Sequence, residues 1–399
     1  MATVKPFQPY RYTVKAGDPS KLVTQPYDKI NSAMQAKYLA ASPYNLVRVI
    51  LGERRAEDNP SDDVYTRAAQ HLDDWIRDGI LAQDPQPGFY AYFQEFAVPD
   101  TSERATRMGF IGIGKVEDYS AGVVFRHEQT LSGPKKDRLE LLRHTRAHFG
   151  QIFVLYPDRE GAVDQILINA AAGQPVLDVL DEYDARHRLW PITDTAAIQE
   201  LMLDKKLLIA DGHHRYETAL AYRDENPDAQ FVMMTCVNMY SPGLKILATH
   251  RVLRNLDDFQ AAALLAKARS SGWLVQEGMP ERGPQTSVRI GLVAGSRTYT
   301  LERDRREGEL DVPVLHTEIL SGLLGIGEEA VRDERYITYV RGIDAAVAEV
   351  REKGAQAAFL LEPTPIEDMA RIAFAGGVMP QKSTDFYPKL LSGVTIYRL

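Results

Sequence analysis

One turn of the chain carries an unusual concentration of chemically capable side chains. The run Leu207–Ala210 is apolar and predicts a buried strand, which breaks at Asp211-Gly212 before a helical pattern begins. The first N–H groups of a helix have no partner within the helix and attract phosphate. A capped turn with two surface histidines is the structural alternative. The candidate phosphate-binding residues here are Gly212, His213, His214 and Arg215, beside the candidate catalytic residue Asp211.

A second charged segment lies between Phe125 and Arg138. A predicted strand leads to His127 and Glu128, and a turn at residues 132–134 precedes a basic helix. Cations at the start of a helix oppose its dipole, so an anion bound there is the hypothesis, with a solvated basic face as the alternative. Because position 131 is Leu, no zinc-peptidase HExxH motif is present. The candidate phosphate-binding residues are His127, Lys135, Lys136 and Arg138.

A third cluster lies near the C-terminus. Residues 376–383 match the P-loop pattern except at Gln381, where the pattern requires a glycine that lets the backbone surround the phosphates. This mismatch excludes a P-loop. The cations and hydroxyls that remain still suit an anion, although a solvated turn is equally consistent with them. The candidates are Lys382, Ser383, Thr384 and Lys389, together with His250 and Arg251 at the end of a predicted strand.

Composition limits the possible functions. The chain has 399 residues, 44% of them hydrophobic and 26% charged, as in ordinary globular proteins. Its net charge of −8 argues against nucleic acid as a partner. The single cysteine, Cys236, excludes an intrachain disulfide and a cysteine-based zinc site. With no signal-peptide pattern and no long apolar run, we expect a cytoplasmic protein without a membrane partner. No pattern indicates an oligomeric state.

Strand and helix patterns are mixed along the chain. Residues 63–81 have the spacing of an amphipathic helix, whereas 89–125 alternate like antiparallel strands. This mixture predicts an α+β (mixed α/β) fold and not a doubly wound parallel sheet. We place the domain boundary near residue 255. The prediction is a domain over 1–255 and an α+β domain over 256–399, whose last twenty residues can return to the first domain.

Several segments together resemble a widespread microbial family of uncharacterised proteins. The resemblance spans nearly the whole chain and implies membership of a family of unknown function. The segments that carry it are PYD (26–28), the HE followed by a basic helix (127–138), ADGHHRYETAL (210–220), THR (249–251) and PQKSTDFYPKLLSG (380–393).

The turn Asp211–Arg215 also resembles the DG-x-x-R turn of the ParB and sulfiredoxin-like superfamily. That superfamily includes CTP-hydrolysing partition proteins and the free serine kinases, which phosphorylate L-serine. The resemblance implies a ParB-like nucleotide-binding core with an insertion at about 63–189. It also implies that the turn binds nucleotide phosphates and that Asp211 supports a metal or the substrate. Asp28, in the early QPYDKI segment, would correspond to a residue near the start of that core.

The hypothesis that follows is a small-molecule kinase. It would move a phosphoryl group from a nucleotide or pyrophosphate to a hydroxyl metabolite such as L-serine, with Mg²⁺ at Asp211. Glu128 is the first candidate for the base and Asp28 the second. One alternative is a non-catalytic regulator that binds a nucleotide or metabolite. The other is a metal-dependent hydrolase with Asp211, His213 and His214 as ligands.

Overall fold

The computed structural model describes residues 1–128, 132–280 and 286–399. These residues form two compact units. Unit 1 comprises Met1–Arg126, Thr130–Lys245 and Pro388–Leu399, and unit 2 comprises His127–Gln129 and Ile246–Tyr387. The chain thus passes from unit 1 to unit 2 at Lys245, ten residues before the boundary that we predicted near 255. The difference arises because the strand Thr249–Leu253 pairs with strands of unit 2.

Unit 1 is built around a nine-stranded sheet among the described residues, in the order β6-β11-β8-β12-β5-β4-β10-β9, with β1 paired to β5. Its pairs are antiparallel except for β6 with β11 and β8 with β12. Strands β2 and β3 form a separate pair. The strands are β1 (Val4–Lys5), β2 (Tyr10–Tyr12), β3 (Leu81–Gln83), β4 (Phe89–Ala97), β5 (Arg104–Lys115), β6 (Val124–Phe125), β7 (Ala147–His148), β8 (Ile152–Tyr156), β9 (Leu177–Leu180), β10 (Arg186–Ile192), β11 (Leu207–Asp211) and β12 (Phe231–Asn238).

The helices of unit 1 follow the predicted apolar spacing where they pack on the core. In α3 the buried side chains Ala68, Leu72 and Trp75 recur three and four residues apart. Asp63 caps this helix and forms a capping box with Thr66. The helices are α1 (Ser32–Ala41), α2 (Val47–Ile50), α3 (Val64–Arg77), α4 (Ser132–Thr145), α5 (Ala162–Ala170), α6 (Ala196–Met202) and α7 (His213–Glu225), with short 3-10 turns at Val14–Ala16, Pro19–Lys21, Tyr27–Lys29 and Tyr119–Ala121.

Unit 2 has a second sheet with the order β15-β17-β16-β19-β14-β18 and a two-stranded sheet of β13 and β20. The six-stranded sheet is antiparallel throughout the described pairs. The strands of these two sheets are β13 (Lys245–Leu247), β14 (Thr249–Leu253), β15 (Leu274–Glu277), β16 (Ser287–Ala294), β17 (Arg297–Asp304), β18 (Ile337–Arg341), β19 (Ala357–Leu360) and β20 (Asp385–Tyr387). Its helices are α8 (Ala261–Ser270), α9 (Asp311–Val314), a π-helix (Leu315–Leu323), α10 (Glu328–Arg332), α11 (Ile343–Arg351) and α12 (Ile366–Phe374).

The last segment of the chain lies in unit 1. Strand β21 (Tyr397–Arg398) pairs antiparallel with β7, and Thr24 and Ser392 form an isolated bridge. Mixed helices with mainly antiparallel sheets confirm the predicted α+β class. Within the described ranges, none of the helices combines the length and the apolar character needed to cross a membrane.

Replacing Asp63 with Ala tests the cap of α3. The side chain of Asp63 accepts hydrogen bonds from the backbone N–H groups of Tyr65 and Thr66 at 2.9 and 2.8 Å. We expect the free energy of unfolding to fall by about 1 kcal/mol, the usual cost of losing an N-cap. Chemical denaturation measures it. Asp194→Ala, at an exposed position, is the control, and an equal loss in the control would contradict the capping role.

Candidate functional site

Asp211 and α7 take their places from a local irregularity in the sheet. Leu207 to Ala210 are buried between β6 and β8, as the apolar run predicts. The pairing with β8 shifts between Ile209 and Asp211, so Asp211 lies opposite Phe153. Such a bulge re-aims the side chain that follows it. Gly212 then takes a left-handed conformation (φ 92°), and α7 begins at His213 without a side-chain cap.

Arg215 points back towards the strand end from the first turn of α7. Its Nη2 donates to Oδ2 of Asp211 at 2.9 Å, and its Nη1 donates to the carbonyl of Gln151 at 2.5 Å. A Cβ atom at Gly212 or at Gly150 would lie 3.0 Å from a guanidinium nitrogen of Arg215. Glycine at both positions therefore leaves the space that the guanidinium fills.

Lys389 reaches the same carboxylate from the C-terminal segment of unit 1. Its Nζ lies 3.3 Å from Oδ1 of Asp211, and its side chain is only 11% exposed. Asp211 thus has one cation on each oxygen. Burial alone would raise the pKa of Asp211, but Lys389 and Arg215, and more weakly Lys29 and His213, hold it well below its usual range. The carboxylate is therefore ionised across the physiological range.

Arg215 also borders a cavity of about 70 Å³ together with Arg138 of α4. Arg138 donates to the carbonyl of Ile50 at 2.7 Å, and its guanidinium lies 4.2 Å from the ring centre of Tyr27. On the measure by which about 10–15 Å³ holds one water, the cavity has room for a small anion such as phosphate. Its lining comprises Pro26, Tyr27, Ile50, Arg138, Leu141, Leu142, Ala147, His148, Phe149, Gly150, Arg215, Thr218 and Ser392.

Three distant parts of the sequence meet in this site, which we call the unit 1 site: Asp211, Arg215, Lys389, Lys29 and the cavity with its lining. They are the early PYD segment, the basic helix and the DGHHR turn, joined by the C-terminal residues 388–392. Asp28 is exposed, but its neighbours are part of the site, because Tyr27 lines the cavity and Lys29 acts on Asp211. The large sequence separation between Asp28 and Asp211 is therefore bridged by the fold.

Other predicted residues of unit 1 lie around the site without lining the cavity. Helix α4 begins at Ser132, so Lys135 and Lys136 lie one turn further into the helix than the sequence suggested. Lys135 is half-buried and Lys136 is exposed. His213 is buried, whereas His214 is partly exposed and its carbonyl accepts from the Thr218 hydroxyl at 2.8 Å. For phosphate binding, all four stay predictions.

The remaining predicted residues form a separate cluster within unit 2. His127 is fully buried, and its Nε2 lies 2.8 Å from Oγ1 of Thr384. Arg251 is also fully buried and donates to the carbonyls of Gln381 and Lys382 at 3.3 and 3.1 Å. Burial lowers the pKa of Arg251 to about 10. Through its hydrogen bonds to the carbonyls of Gln381 and Lys382, the guanidinium of Arg251 stabilises the loop that contains Lys382.

Further contacts in this cluster are also internal to unit 2. The Ser383 hydroxyl donates to the carbonyl of Pro380 at 2.6 Å, and Nδ1 of His250 accepts from the N–H of Leu361 at 3.2 Å. Burial lowers the pKa of His250 to about 4, so its ring is neutral near pH 7. Glu128 lies 3.8 Å from His127, and Lys382 is exposed with a positive φ of 56°. These contacts support the loop, and a role of these residues in phosphate binding stays a prediction.

The metal predictions find little support in the side-chain geometry. No group of three or more His, Cys, Asp or Glu side chains placed to hold a metal ion occurs in the described part of the chain. Asp211 already faces Arg215 and Lys389, and a divalent cation there would meet two like charges. The arrangement therefore does not fit Mg²⁺ at Asp211, nor the three-ligand site that the hydrolase hypothesis needs.

The sequence matches the model of a family described as "Protein of unknown function (DUF1015)" over residues 4–321. The chain belongs to this family. The match covers well over half of the chain and confirms the predicted membership of a family of unknown function. The comparison of this DUF1015 protein with curated proteins finds no match.

Solved structures resemble the DUF1015 chain only distantly. A conserved hypothetical protein from Pyrococcus furiosus is 13% identical, with a TM-score of 0.37 over 66% of this chain and 86% of that chain. A free serine kinase mutant in complex with ADP is 13% identical, with a TM-score of 0.39 over 66% and 83%. SbnI from Staphylococcus aureus is 10% identical, with a TM-score of 0.38 over 70% and 85%. Overlaps of this size do not establish a shared fold or activity.

Sequence reasoning missed several residues that shape the unit 1 site. Gly150 and Gln151 meet the guanidinium of Arg215, and Ser392 lines the cavity. Gly150 follows β7, whereas α4 ends earlier at Thr145, so no helix-end pattern marks this glycine. Gln151 takes part through its backbone carbonyl, and a backbone contact leaves no trace in the residue type.

Replacing Asp211 with Asn, with stability measured at several pH values, tests the ionic contacts of this carboxylate. Because the folded pKa of Asp211 is depressed, its ionisation stabilises the protein above the unfolded pKa, about 4, and this contribution is lost as the pH falls below it. At pH 7 we expect the free energy of unfolding of the variant to be about 1–3 kcal/mol lower than that of the wild type. The gap to the wild type should narrow in acid. Urea denaturation between pH 7 and 3 measures it, and a gap independent of pH would contradict the assignment.

Proposed function

We propose that this DUF1015 protein is a small-molecule kinase whose phosphate-binding centre is the unit 1 site. It would transfer a phosphoryl group from a nucleotide or pyrophosphate to the hydroxyl of a small metabolite, with L-serine as the first acceptor to test. The observation that carries the proposal is that Arg138 and Arg215 border one cavity, which has room for a phosphate group. The choice of acceptor rests on the similarity of the Asp211–Arg215 turn to free serine kinases.

The charge around the site favours an anion. Arg138, Arg215, Lys389 and Lys29 supply four cations, against the three carboxylates of Asp211, Asp137 and Asp28. Phosphoryl transfer relies mainly on positioning and on positive charge around the phosphates. Asp211 contributes by holding Arg215 and Lys389 in place, and no step here depends on a metal at Asp211. An arginine held on both sides retains its fork geometry for a phosphate oxygen.

The chemical step needs a base for the acceptor hydroxyl. Its oxygen would attack the terminal phosphorus, the bond from that phosphorus to the leaving phosphate oxygen would break, and the hydroxyl proton would pass to a carboxylate. Asp28 is now our first candidate for that carboxylate, because its neighbours Tyr27 and Lys29 belong to the unit 1 site. Glu128 belongs to unit 2, where it lies beside His127, and becomes the second candidate.

The donor would enter with one phosphate in the cavity. The cavity of about 70 Å³ has room for a phosphate group, and in this proposal the rest of the nucleotide or pyrophosphate would extend out of it. The unit 1 site serves a non-catalytic regulator equally well, because binding needs the cations and not the base. Turnover therefore has to be measured separately from binding.

Purified full-length protein with ATP, ADP, CTP or pyrophosphate, Mg²⁺ and L-serine should yield O-phosphoserine, detected by mass spectrometry. Calorimetry with the same donors measures binding. If a donor binds but no hydroxyl amino acid is phosphorylated, the regulator hypothesis replaces the kinase. If no donor binds and no product forms, the proposal that the unit 1 site is a phosphate-binding centre is wrong.

Replacing Arg215 with Lys keeps the charge but removes the planar fork. We expect donor binding to weaken by about 1.5–3 kcal/mol, the range for a hydrogen bond to a charged group. The matched control is Arg143→Lys. Arg143 is an arginine of α4 whose ion pairs run to Glu140 and Glu225 and which does not line the cavity. Equal affinities for the two variants would remove Arg215 from the binding site.

A further inference from the structure

The segment that carries Lys389 is anchored by side chains from the interior of the unit 1 sheet. Nη2 of Arg107, on β5, donates to the carbonyl of Pro388 at 2.5 Å. Nε2 of Gln94, on β4, donates to the carbonyl of Lys389 itself at 2.8 Å. Two backbone acceptors in succession are thus bound by buried donors, so the backbone at Lys389 has little freedom to shift.

A third anchor follows two residues later. The N–H of Leu391 donates to the hydroxyl oxygen of Tyr92 at 3.3 Å. The same hydroxyl lies 2.7 Å from Nδ1 of His187, whose Nε2 lies 3.2 Å from Oδ2 of Asp181. Because each side chain in this series of hydrogen bonds is buried, the hydroxyl of Tyr92 is held in one orientation, in which it can hold the backbone at Leu391.

Burying an arginine in a sheet is costly unless its donors are satisfied. Arg107 is 1% exposed, and besides Pro388 it donates through Nε to Oε1 of Gln94 at 2.9 Å and lies 4.6 Å from the ring centre of Phe153. Gln94 therefore accepts from Arg107 and donates to Lys389. Two apolar side chains would fill the same space without the cost of desolvating polar groups. The presence of Gln94 and Arg107 is therefore better explained by the backbone carbonyls that they bind.

We propose that Gln94 and Arg107 are positioning residues, which hold the ammonium group of Lys389 at Asp211 by binding the backbone carbonyls of Pro388 and Lys389. Their effect on ligand binding rests on the proposed function of the unit 1 site. Their effect on the placement of Lys389 does not, and it is measurable on the protein without any ligand.

The first experiment measures how fast acetic anhydride modifies Lys389, read residue by residue with mass spectrometry. In the wild type the reaction should be slow, because the side chain is largely buried and paired with Asp211. In Gln94→Leu we expect it to be about fivefold faster, the ratio that corresponds to one net hydrogen bond. The exposed Lys37 is the internal reference and should react at an unchanged rate.

A milder pair of variants covers the case in which Gln94→Leu does not fold. Tyr92→Phe removes the hydroxyl that contacts Leu391. Tyr90, two residues before Tyr92 on the same strand, has a hydroxyl that contacts Asp84 instead, and Tyr90→Phe removes it. We expect faster modification of Lys389 in Tyr92→Phe only. An unchanged rate in both Gln94→Leu and Tyr92→Phe would overturn the proposal, and so would equal acceleration in Tyr90→Phe, which would indicate general loosening.

A double-mutant cycle with pyrophosphate as the probe separates positioning from a merely structural role. Gln94→Leu should weaken pyrophosphate binding in the wild-type background and have no further effect in a Lys389→Met background. Additive effects would show that Gln94 does not act through Lys389. If pyrophosphate does not bind the wild type, the proposed donor fails, while the modification rates still decide the positioning role.

Discussion

The carboxylate of Asp211 connects the turn between β11 and α7 to a segment 178 positions later in the chain. Asp211 ends β11, pairs with Arg215 four residues further on in α7 and receives Lys389 from the C-terminal segment. Partly buried ion pairs of this kind add little net stability, because desolvation offsets the attraction, yet losing one partner leaves an uncompensated charge. The interaction therefore organises more than it stabilises. The position of Arg215, and with it one wall of the cavity, depends on it.

The sheet of unit 1 also contributes to this ionic contact, because side chains of its strands bind the backbone at Lys389. Strand β4 is mostly buried and β5 is buried from Gly109 to Gly114, yet the polar side chains of Gln94 and Arg107 on these strands are buried as well. These polar groups hold the backbone on which Lys389 stands, and Lys389 in turn completes the charge balance of Asp211. The unit 1 site is thus connected to the core by hydrogen bonds whose geometry is specific, which apolar packing alone would not provide.

Local features of the fold could be predicted from the sequence, whereas distant contacts could not. The strand, turn and helix around Asp211 follow from an apolar run and a glycine, and the cap of α3 follows from Asp63. Arg107 gave no such signal, because an alternating strand with a charged residue usually exposes that residue to solvent. Its partner Pro388 is 281 positions away, a distance that no local pattern encodes. A domain boundary near residue 255 is difficult to place from the sequence for a similar reason, since the pairing of Thr249–Leu253 is set by partners later in the chain.

The family motifs divide between the two units in a way that the sequence does not reveal. The PYD segment, the basic helix and the DGHHR turn contribute to the unit 1 site, while His127, Arg251 and the loop around Lys382 contact one another in unit 2. The continuous run 380–393 is itself divided after Tyr387, so Lys382 and Lys389 serve different units although only seven positions separate them. In unit 2 the hydroxyl of Ser383 bonds within its own loop, that of Thr384 contacts His127, and the guanidinium of Arg251 donates to the loop from β14. The cations that the proposed phosphate site requires are all found in unit 1, so the binding argument is complete without the second cluster.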